Sequence, residues 1–499
     1  MKIEDLPLEA YRITLQKNNP NLEVSYIHTD SRKISQGDIY CVNESFADRT
    51  PNFLEDALSK KANAVLIKKG SKYSFDTNKF EIVMESEDDP ETIVGYLASA
   101  LKNHPSKFLK VVAVTGTNGK TSVTHILYDL LTKENKKCGI IGTIQTYYDG
   151  KSIETGYTTP DAPFLHEIFY DMKMAGVEYV FMEASSHGLK LGRLNGVEFY
   201  AAIFTNLTVD HLDFHINMED YRNSKLKLFE LLEKSSVPEK FGIVYKDFPG
   251  GLEFVEILKS KNCSYPIYIL GGENFELKNI QITSFETQYI IVDIQKKVFR
   301  KIQTNLLGNF NAINSALAYI ACEKFGFSSD RVAKNLTNLK SVPGRFQKIY
   351  DNSGEKLAIV DYAHTPDALE NVIQSARELT QKRLVTLFGC GGDRDKTKRP
   401  LMGEIAEKYS DLVIVTSDNP RTEDQEKIID DIVSGFSKNY TNFYRISDRS
   451  EAIQKGVKLL KQGEILLVCG KGHEDYQILG KKKIYFSDEE EIKKAFRKN

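Results

Sequence analysis

The chain carries almost no excess charge of either sign. Its 67 Lys and Arg stand against 69 Asp and Glu over 499 residues, a formal net charge of −2. That balance argues against bulk electrostatic binding to nucleic acid or to an anionic membrane. Cysteine is sparse as well. Cys41, Cys138, Cys263, Cys322, Cys390 and Cys469 are widely scattered and none forms a Cys-x-x-Cys pair. A zinc knuckle or disulfide framework is therefore not expected, and several of these residues lie in apolar runs, where a buried free thiol is ordinary. No apolar run approaches the length of a membrane span, and Met1-Lys-Ile-Glu-Asp-Leu6 has no apolar signal core. A cytoplasmic location is expected. Internal short-period repeats and low-complexity tracts are also missing, and the length suggests about three domains.

The most informative stretch is Val111-Val-Ala-Val-Thr-Gly-Thr-Asn-Gly-Lys-Thr121. An apolar run that reads as a buried strand stops at Thr115-Gly116, and a helical pattern resumes through Ile126, Leu127, Leu130 and Leu131. A strand, a glycine turn, Lys120, Thr121 and a helix N-terminus together make a phosphate cradle. Backbone N–H groups and the helix dipole point positive charge at an anion. Lys120 can reach terminal phosphates and the Thr121 hydroxyl can hold Mg²⁺. The usual phosphate-loop pattern has glycine at position 114, which is valine here, so the short form Gly116 to Thr121 carries the motif. An exposed lysine on a glycine-rich turn is the plainer alternative.

Strands and helices alternate along the chain, which predicts an α/β protein with parallel sheets. Residues 1–105 mix short strands (Asp38 to Val42, Ala64 to Ile67) with a helix over Pro90 to Leu101, and Asn103-His-Pro-Ser-Lys107 reads as a linker. Residues 106–340 add strands at Cys138 to Gly142, Tyr179 to Glu183 and Ala201 to Thr205, then a β-rich stretch over about 265–305. Residues 341–499 read as a second doubly wound sheet, with strands at Leu357, Leu384, Leu412 and Ile465. Function in such sheets gathers at the carboxyl ends of strands. Asp361-Tyr-Ala-His364, Gly389 to Asp395, Asp418-Asn-Pro-Arg421 and Gly470 to Glu474 all fall there. The charged end, from Asp488, reads as a solvated helix.

In the central block, Glu183-Ala-Ser-Ser-His187 and Asn206 to His215 follow neighbouring strands. Singly, Glu183 and His211 would be structural groups. Together, beside a phosphate loop, they suit a divalent cation. Thr158-Thr159-Pro160 offers hydroxyls to an anionic or sugar ligand, and helix capping explains it equally well. Helix chemistry alone leaves Lys225 as a surface lysine. Near Mg²⁺ it would be repelled unless its charge were reversed, as in a carbamate.

In this order the motifs resemble those of the Mur ligases, the ATP-dependent amide-forming enzymes of bacterial cell-wall precursor synthesis. The resemblance covers nearly the whole chain and includes Gly308-Asn-Phe-Asn311, Gly344-Arg345 and Asp361 to Pro366. The motifs at 389–395, 418–421 and 470–474 resemble the MurE type, which adds the third residue of the peptide stem. The resemblance implies three domains: a small α/β domain for a nucleotide sugar (1–105), a central phosphate-loop ATPase with a parallel sheet (106–340) and a C-terminal Rossmann-like domain for the amino acid (341–499). It implies UDP-N-acetylmuramoyl-L-alanyl-D-glutamate, meso-diaminopimelate, ATP and Mg²⁺, with a monomer expected.

Residue by residue, the resemblance places ATP on Gly116, Thr117, Asn118, Gly119, Lys120, Thr121 and Ser122, with Asn311, Arg345 and Asp361. It places Ser31 at the uridine diphosphate, and Thr158, Thr159, Ser185 and Arg193 at the muramoyl peptide. Diaminopimelate falls to Arg394, Asp418, Asn419, Pro420, Arg421, Gly470 and Glu474. Catalysis falls to Lys120, Glu183, His211 and Lys225, with Thr121, Glu183, His211 and carbamylated Lys225 as metal ligands. Arg421 can grip a carboxylate bidentately, and lysine-adding relatives differ at that arginine. The loop Asn43 to Phe53 lacks the family's glycine–histidine character and receives no assigned contacts. Closure of the third domain, hinged near 340–345, would keep water from an acyl phosphate. The alternatives are the same reaction with L-lysine or ornithine, a folylpolyglutamate- or cyanophycin-type ligase, and a nucleotide switch protein. Asp418 to Arg421 with Gly470 to Glu474 argue against the second.

Overall fold

The computed structural model describes residues 1–44 and 50–498. They form two compact units, one of residues 1–276 with 293–296 and the other of residues 277–292 with 297–499.

The first unit holds two sheets. One runs Ile13–Lys17, Ile82–Ser86, Ala64–Lys68, Ile39–Cys41, Ile27–His28; its first pair is antiparallel and the rest parallel. In the other, Lys110–Thr115 lies between Phe199–Phe204 and Tyr179–Glu183, parallel to both. Phe241–Tyr245 and Ile267–Leu270 continue it on one side and Cys138–Ile141 on the other. Beyond Cys138–Ile141 the strands Thr146–Tyr148 and Lys151–Ile153 run antiparallel.

The central strands are buried on both faces, so they read as continuous apolar runs rather than alternating ones. Val111, Val112, Ala113 and Val114 have no exposed surface. Helix Lys120–Lys133 covers them with Val123, Ile126, Leu127, Leu130 and Leu131, all buried, a stripe at helical spacing. Each such side chain contributes roughly 1.5–3 kcal/mol of burial. Phe204 stacks on Phe254 at 3.8 Å and ties Phe199–Phe204 to helix Gly251–Ser260.

The second unit takes in most of three adjacent strands, Phe275–Ile282, Thr287–Asp293 and Val298–Thr304. Its main sheet runs Gln347–Tyr350, Leu357–Asp361, Ile465–Cys469, Leu384–Phe388, Leu412–Val415, Phe443–Arg445. The first pair is antiparallel and the others are parallel. A hairpin, Tyr476–Leu479 with Lys482–Tyr485, follows. The last helix, Asp488–Lys498, is not solvated all round: Ile492 and Phe496 are buried, and its first residue Asp488 pairs with fully buried Arg449 at 2.7 Å.

Among the described residues no helix is long and apolar enough to cross a membrane. All six cysteines are free, five of them buried.

Candidate active site

In the first unit, parallel strands deliver their carboxyl ends to one edge, and the phosphate-loop residues lie there. Gly116 has φ of 148°, and a Cβ on it would stand 1.9 Å from Thr205 Oγ1; only glycine fits. Gly119, at φ of 87°, caps helix Lys120–Lys133. Asn206 braces the turn: its carbonyl accepts from Thr117 N–H at 3.0 Å, and its side-chain oxygen accepts from Asn118 N–H at 2.9 Å. Lys120 Nζ donates to the carbonyls of Gly116 at 2.9 Å and Thr117 at 2.8 Å, so the ammonium lies over the turn. Ser122 is buried in the first turn of the helix.

Glu183 is the hub of this edge. Its carboxylate accepts from Thr121 Oγ1 at 3.0 Å, from Thr143 N–H at 2.8 Å and from Thr143 Oγ1 at 3.1 Å. Gly142 makes room for it, since a Cβ there would meet Glu183 Oε1 at 2.4 Å. Thr143 in turn lies 3.0 Å from Thr158 Oγ1. Thr159 Oγ1 donates to the Glu183 carbonyl at 2.9 Å and lies 3.0 Å from Ser185 Oγ. Arg193 donates to the Thr159 carbonyl at 3.0 Å. Thr121, Glu183, Thr158, Thr159, Ser185 and Arg193 therefore form one connected group. Ser31 lies on a turn whose Lys33 reaches Asp161 at 3.7 Å, the residue capping the helix after Thr159. Residues 45–49 of the unassigned loop lie outside the described residues.

His211 and Lys225 form a neighbouring group. Lys225 is not on the surface: it is buried, with Nζ 4.2 Å from the Tyr221 ring centre. Burial, reinforced by Lys120, pushes its ammonium pKa well below the ordinary lysine value. An uncharged amine is the form that reacts with carbon dioxide to give a carbamate. Burial likewise lowers the His211 pKa, with Lys120 and Lys225 adding to the effect against Asp210. Among the described residues no three His, Cys, Asp or Glu side chains converge as a metal set. The oxygens of Thr121 and Glu183 are hard donors of the kind Mg²⁺ takes alongside phosphate and water.

In the second unit, Asp361 ends its strand and accepts from Phe346 N–H at 2.7 Å and Ala363 N–H at 2.8 Å. Burial raises its pKa despite Arg345 and both N–H donors. Arg345 lies 4.9 Å from the Tyr362 ring, and Tyr362 is 5.1 Å from His473. Asn311 is buried and donates to the Leu307 carbonyl at 2.9 Å. Next to this cluster, Arg421 has a left-handed backbone, φ 52°, and donates to the Gly392 carbonyl at 2.7 Å. Gly392 is required there, since a Cβ would sit 1.9 Å from the Pro420 carbonyl oxygen. Asn419 donates to Glu474 Oε2 at 2.9 Å. Gly470 leaves room for Asp418 Oδ2, which a Cβ would meet at 2.6 Å. Arg394 is exposed on the loop beside them. Asp418, Asn419, Pro420, Arg421, Gly470 and Glu474 thus share one corner.

Chains with this geometry have known counterparts. The family model for the Mur ligase middle domain matches residues 114–322, and the model for the Mur ligase, glutamate ligase domain, matches residues 344–472. The chain belongs to the Mur ligase family. A UDP-N-acetylmuramoyl-L-alanyl-D-glutamate–2,6-diaminopimelate ligase of Leptospira borgpetersenii is 50% identical over 483 residues, 96% of this chain and 95% of its own length. Its namesake in Leptospira interrogans is 46% identical over 507 residues, 99% of each chain. A solved structure of a ligase of that name is 30% identical, with a TM-score of 0.71, covering 100% of this chain and 99% of its own.

The Mur ligase edge also contains groups that residue-type reasoning passed over. Thr143 bridges Glu183 and Thr158, and its signal was its place just past the strand Cys138–Ile141. Tyr221 donates to Thr117 Oγ1 at 3.1 Å. A cavity of about 590 Å³ lies apart from all these residues, lined by Tyr11, Tyr96, His104 and Glu198 among others.

Proposed function

We propose that this Mur ligase joins meso-diaminopimelate to the D-glutamyl carboxylate of UDP-N-acetylmuramoyl-L-alanyl-D-glutamate at the expense of ATP. One observation carries the reading: Arg421 and Glu474 flank a single Asn419. A guanidinium suits the carboxylate that diaminopimelate has and lysine lacks, and a carboxylate suits the ammonium at the same end. A site that pairs the extra carboxylate rejects the analogue without it. The activity in the names of the full-length relatives supports the same choice.

The ATP phosphates are assigned to the turn Gly116 to Ser122, with Lys120 against the terminal ones, and Asn311, Arg345 and Asp361 complete the nucleotide contacts. Ser31 takes the uridine diphosphate, and Thr158, Thr159, Ser185 and Arg193 hold the acceptor peptide. The acceptor carboxylate attacks the γ-phosphorus, giving an acyl phosphate and ADP. The diaminopimelate amine then adds to the acyl carbon, and the tetrahedral adduct expels phosphate as the amide forms and a proton leaves nitrogen. Positioning and fixed charge supply most of the catalysis in such transfers. Thr121 and Glu183, with His211 and a carbamate on Lys225, would hold Mg²⁺, whose charge offsets that of the phosphates. With this reading go domain boundaries near 105 and 340, a cytoplasmic location and a monomer.

Phosphate release is the test. It is expected only when ATP, the nucleotide-sugar dipeptide and diaminopimelate are all present. Release with lysine or ornithine but not diaminopimelate would overturn the amino-acid assignment, and slow release without any amino acid would favour a switch protein.

A further inference from the structure

Lys471 is fully buried beside the amino-acid corner and has no part in the reaction as described. Its side chain has no exposed surface, and Nζ lies 3.1 Å from Glu474 Oε2 and 3.3 Å from Asn419 Oδ1. The Tyr476 ring centre is 5.3 Å from the same ammonium. Burying a charge is costly unless it is paired and hydrogen-bonded, and here Glu474 supplies the counter-charge and Asn419 an acceptor.

The arrangement is directional. Asn419 Oδ1 accepts from Lys471 and from Ile478 N–H at 3.0 Å, which fixes the carboxamide and turns its Nδ2 toward Glu474. Lys471 and Asn419 both donate to Glu474 Oε2, and Oε1 is used by neither of them. The Glu474 side chain is 16% exposed while Lys471 behind it has none. Lys471 and Asn419 thus anchor the carboxylate through Oε2, and Tyr476 also hydrogen-bonds to Glu474.

We propose that Lys471 is a positioning residue for the amino-acid substrate: by gripping Glu474 Oε2 and Asn419 Oδ1 it orients the carboxylate that receives the substrate's ammonium. The inference rests on reading this corner as the amino-acid site. It makes Lys471 a determinant of amino-acid affinity that never touches the amino acid.

The test is steady-state kinetics of the full chain with each substrate varied in turn. Lys471→Met is expected to raise KM for diaminopimelate about ten- to a hundredfold, the scale of a lost charge-assisted hydrogen bond. The KM values for ATP and for the nucleotide-sugar dipeptide should stay within about twofold, as should kcat at saturation. Lys471→Arg, which keeps the charge, should recover most of the affinity. Because Lys471 acts through Glu474, the double variant K471M/E474Q should be no worse than E474Q alone. Additive losses, or a fall in kcat with an unchanged diaminopimelate KM, would overturn the proposal. If K471M does not fold, Lys471→Gln decides by the same criteria, and failure of both to fold would assign the lysine to stability and end the proposal. Arg421→Ala separates the two levels. If it leaves the diaminopimelate KM unchanged, the reading of the corner is wrong. If it raises that KM while K471M does not, only the role of Lys471 is wrong.

Discussion

At the scale of single residues, the phosphate turn makes the sharpest demands. Lys120→Ala removes the ammonium held over that turn by two hydrogen bonds, and ligation should fall at least about a hundredfold in kcat/KM. Gly116→Ala is expected to weaken ATP more than tenfold, roughly, because the new methyl would overlap Thr205 Oγ1 and force the turn to move; ATP titration followed by phosphate release reads it. His166 makes a different prediction. Burial lowers its pKa from 6.5 to about 4, so it is neutral when folded and takes a proton when unfolded at mildly acid pH. The folded-state pKa lies below the unfolded one, so stability falls as pH drops from about 6.5 towards 4, by on the order of 3 kcal/mol for this group. His166→Gln retains a donor for the Asn195 carbonyl and should flatten that acid limb in urea unfolding at pH 7 and pH 4.5.

At the scale of elements, loops are held by partners distant in sequence. Arg399 is fully buried and reaches Glu423, Asp431 and the Gly391 carbonyl, tying the loop that carries Arg394 to the residues after Arg421. Lowering of the Glu423 pKa to about 2, chiefly by the hydrogen bond from Arg399, reflects the same tie. Arg399→Met removes the hydrogen bonds to two partly exposed carboxylates, of which Glu423 keeps Lys396 at 3.0 Å, and should cost about 1.5–3 kcal/mol in urea denaturation. The hairpin Tyr476–Leu479 with Lys482–Tyr485 acts similarly. Its Ile478 N–H serves Asn419, and its Ile478 carbonyl accepts from Arg421 N–H at 3.1 Å. Ile478→Pro removes that donor and should raise the diaminopimelate KM about tenfold while the ATP KM holds.

Elements were unequally legible in the sequence. Helix Pro90–Leu101 starts where Asp89-Pro90 announces it, and the buried parallel strands declare themselves as Val, Ile and Leu runs. The hairpins at Thr146–Ile153 and Tyr476–Tyr485 do not, because short polar strands lack an apolar period. Lys225 could have been read more closely. It stands four residues from both Tyr221 and Phe229, on the stripe that helix Met218–Lys234 buries, so its periodicity marked it as interior even though its residue type marked it as exposed. The strand ends gave Glu183 and the corner motifs, but the partners of Glu183 and Asn419 depend on side-chain geometry that no spacing encodes.

At the scale of the molecule, two compact units exchange the chain at 276–277, 292–293 and 296–297. Sequence patterning marked 265–305 as β-rich without showing that most of it packs with the C-terminal residues, since strand propensity is silent about which core a strand joins. Each unit has its own hydrophobic clusters, so calorimetry should resolve ligand effects separately. The nucleotide-sugar dipeptide is expected to raise the transition of the first unit and diaminopimelate that of the second, each by about 2.7 kcal/mol at a hundredfold excess over Kd.

Within the second unit, Asp361 pairs in register with Cys469, and Gly470 N–H donates to the Asp361 carbonyl at 3.1 Å. A Cβ on Gly344 would stand 2.1 Å from His473 N. The main chain that presents Arg345 and Asp361 is therefore welded to the main chain that presents Glu474. A lineage altering its preferred amino acid has little latitude along that seam, where any bulk would also disturb Arg345 and Asp361, the residues proposed for the nucleotide. Its freedom lies among the solvent-facing residues around Arg394, and descendants with new tastes should carry their changes there.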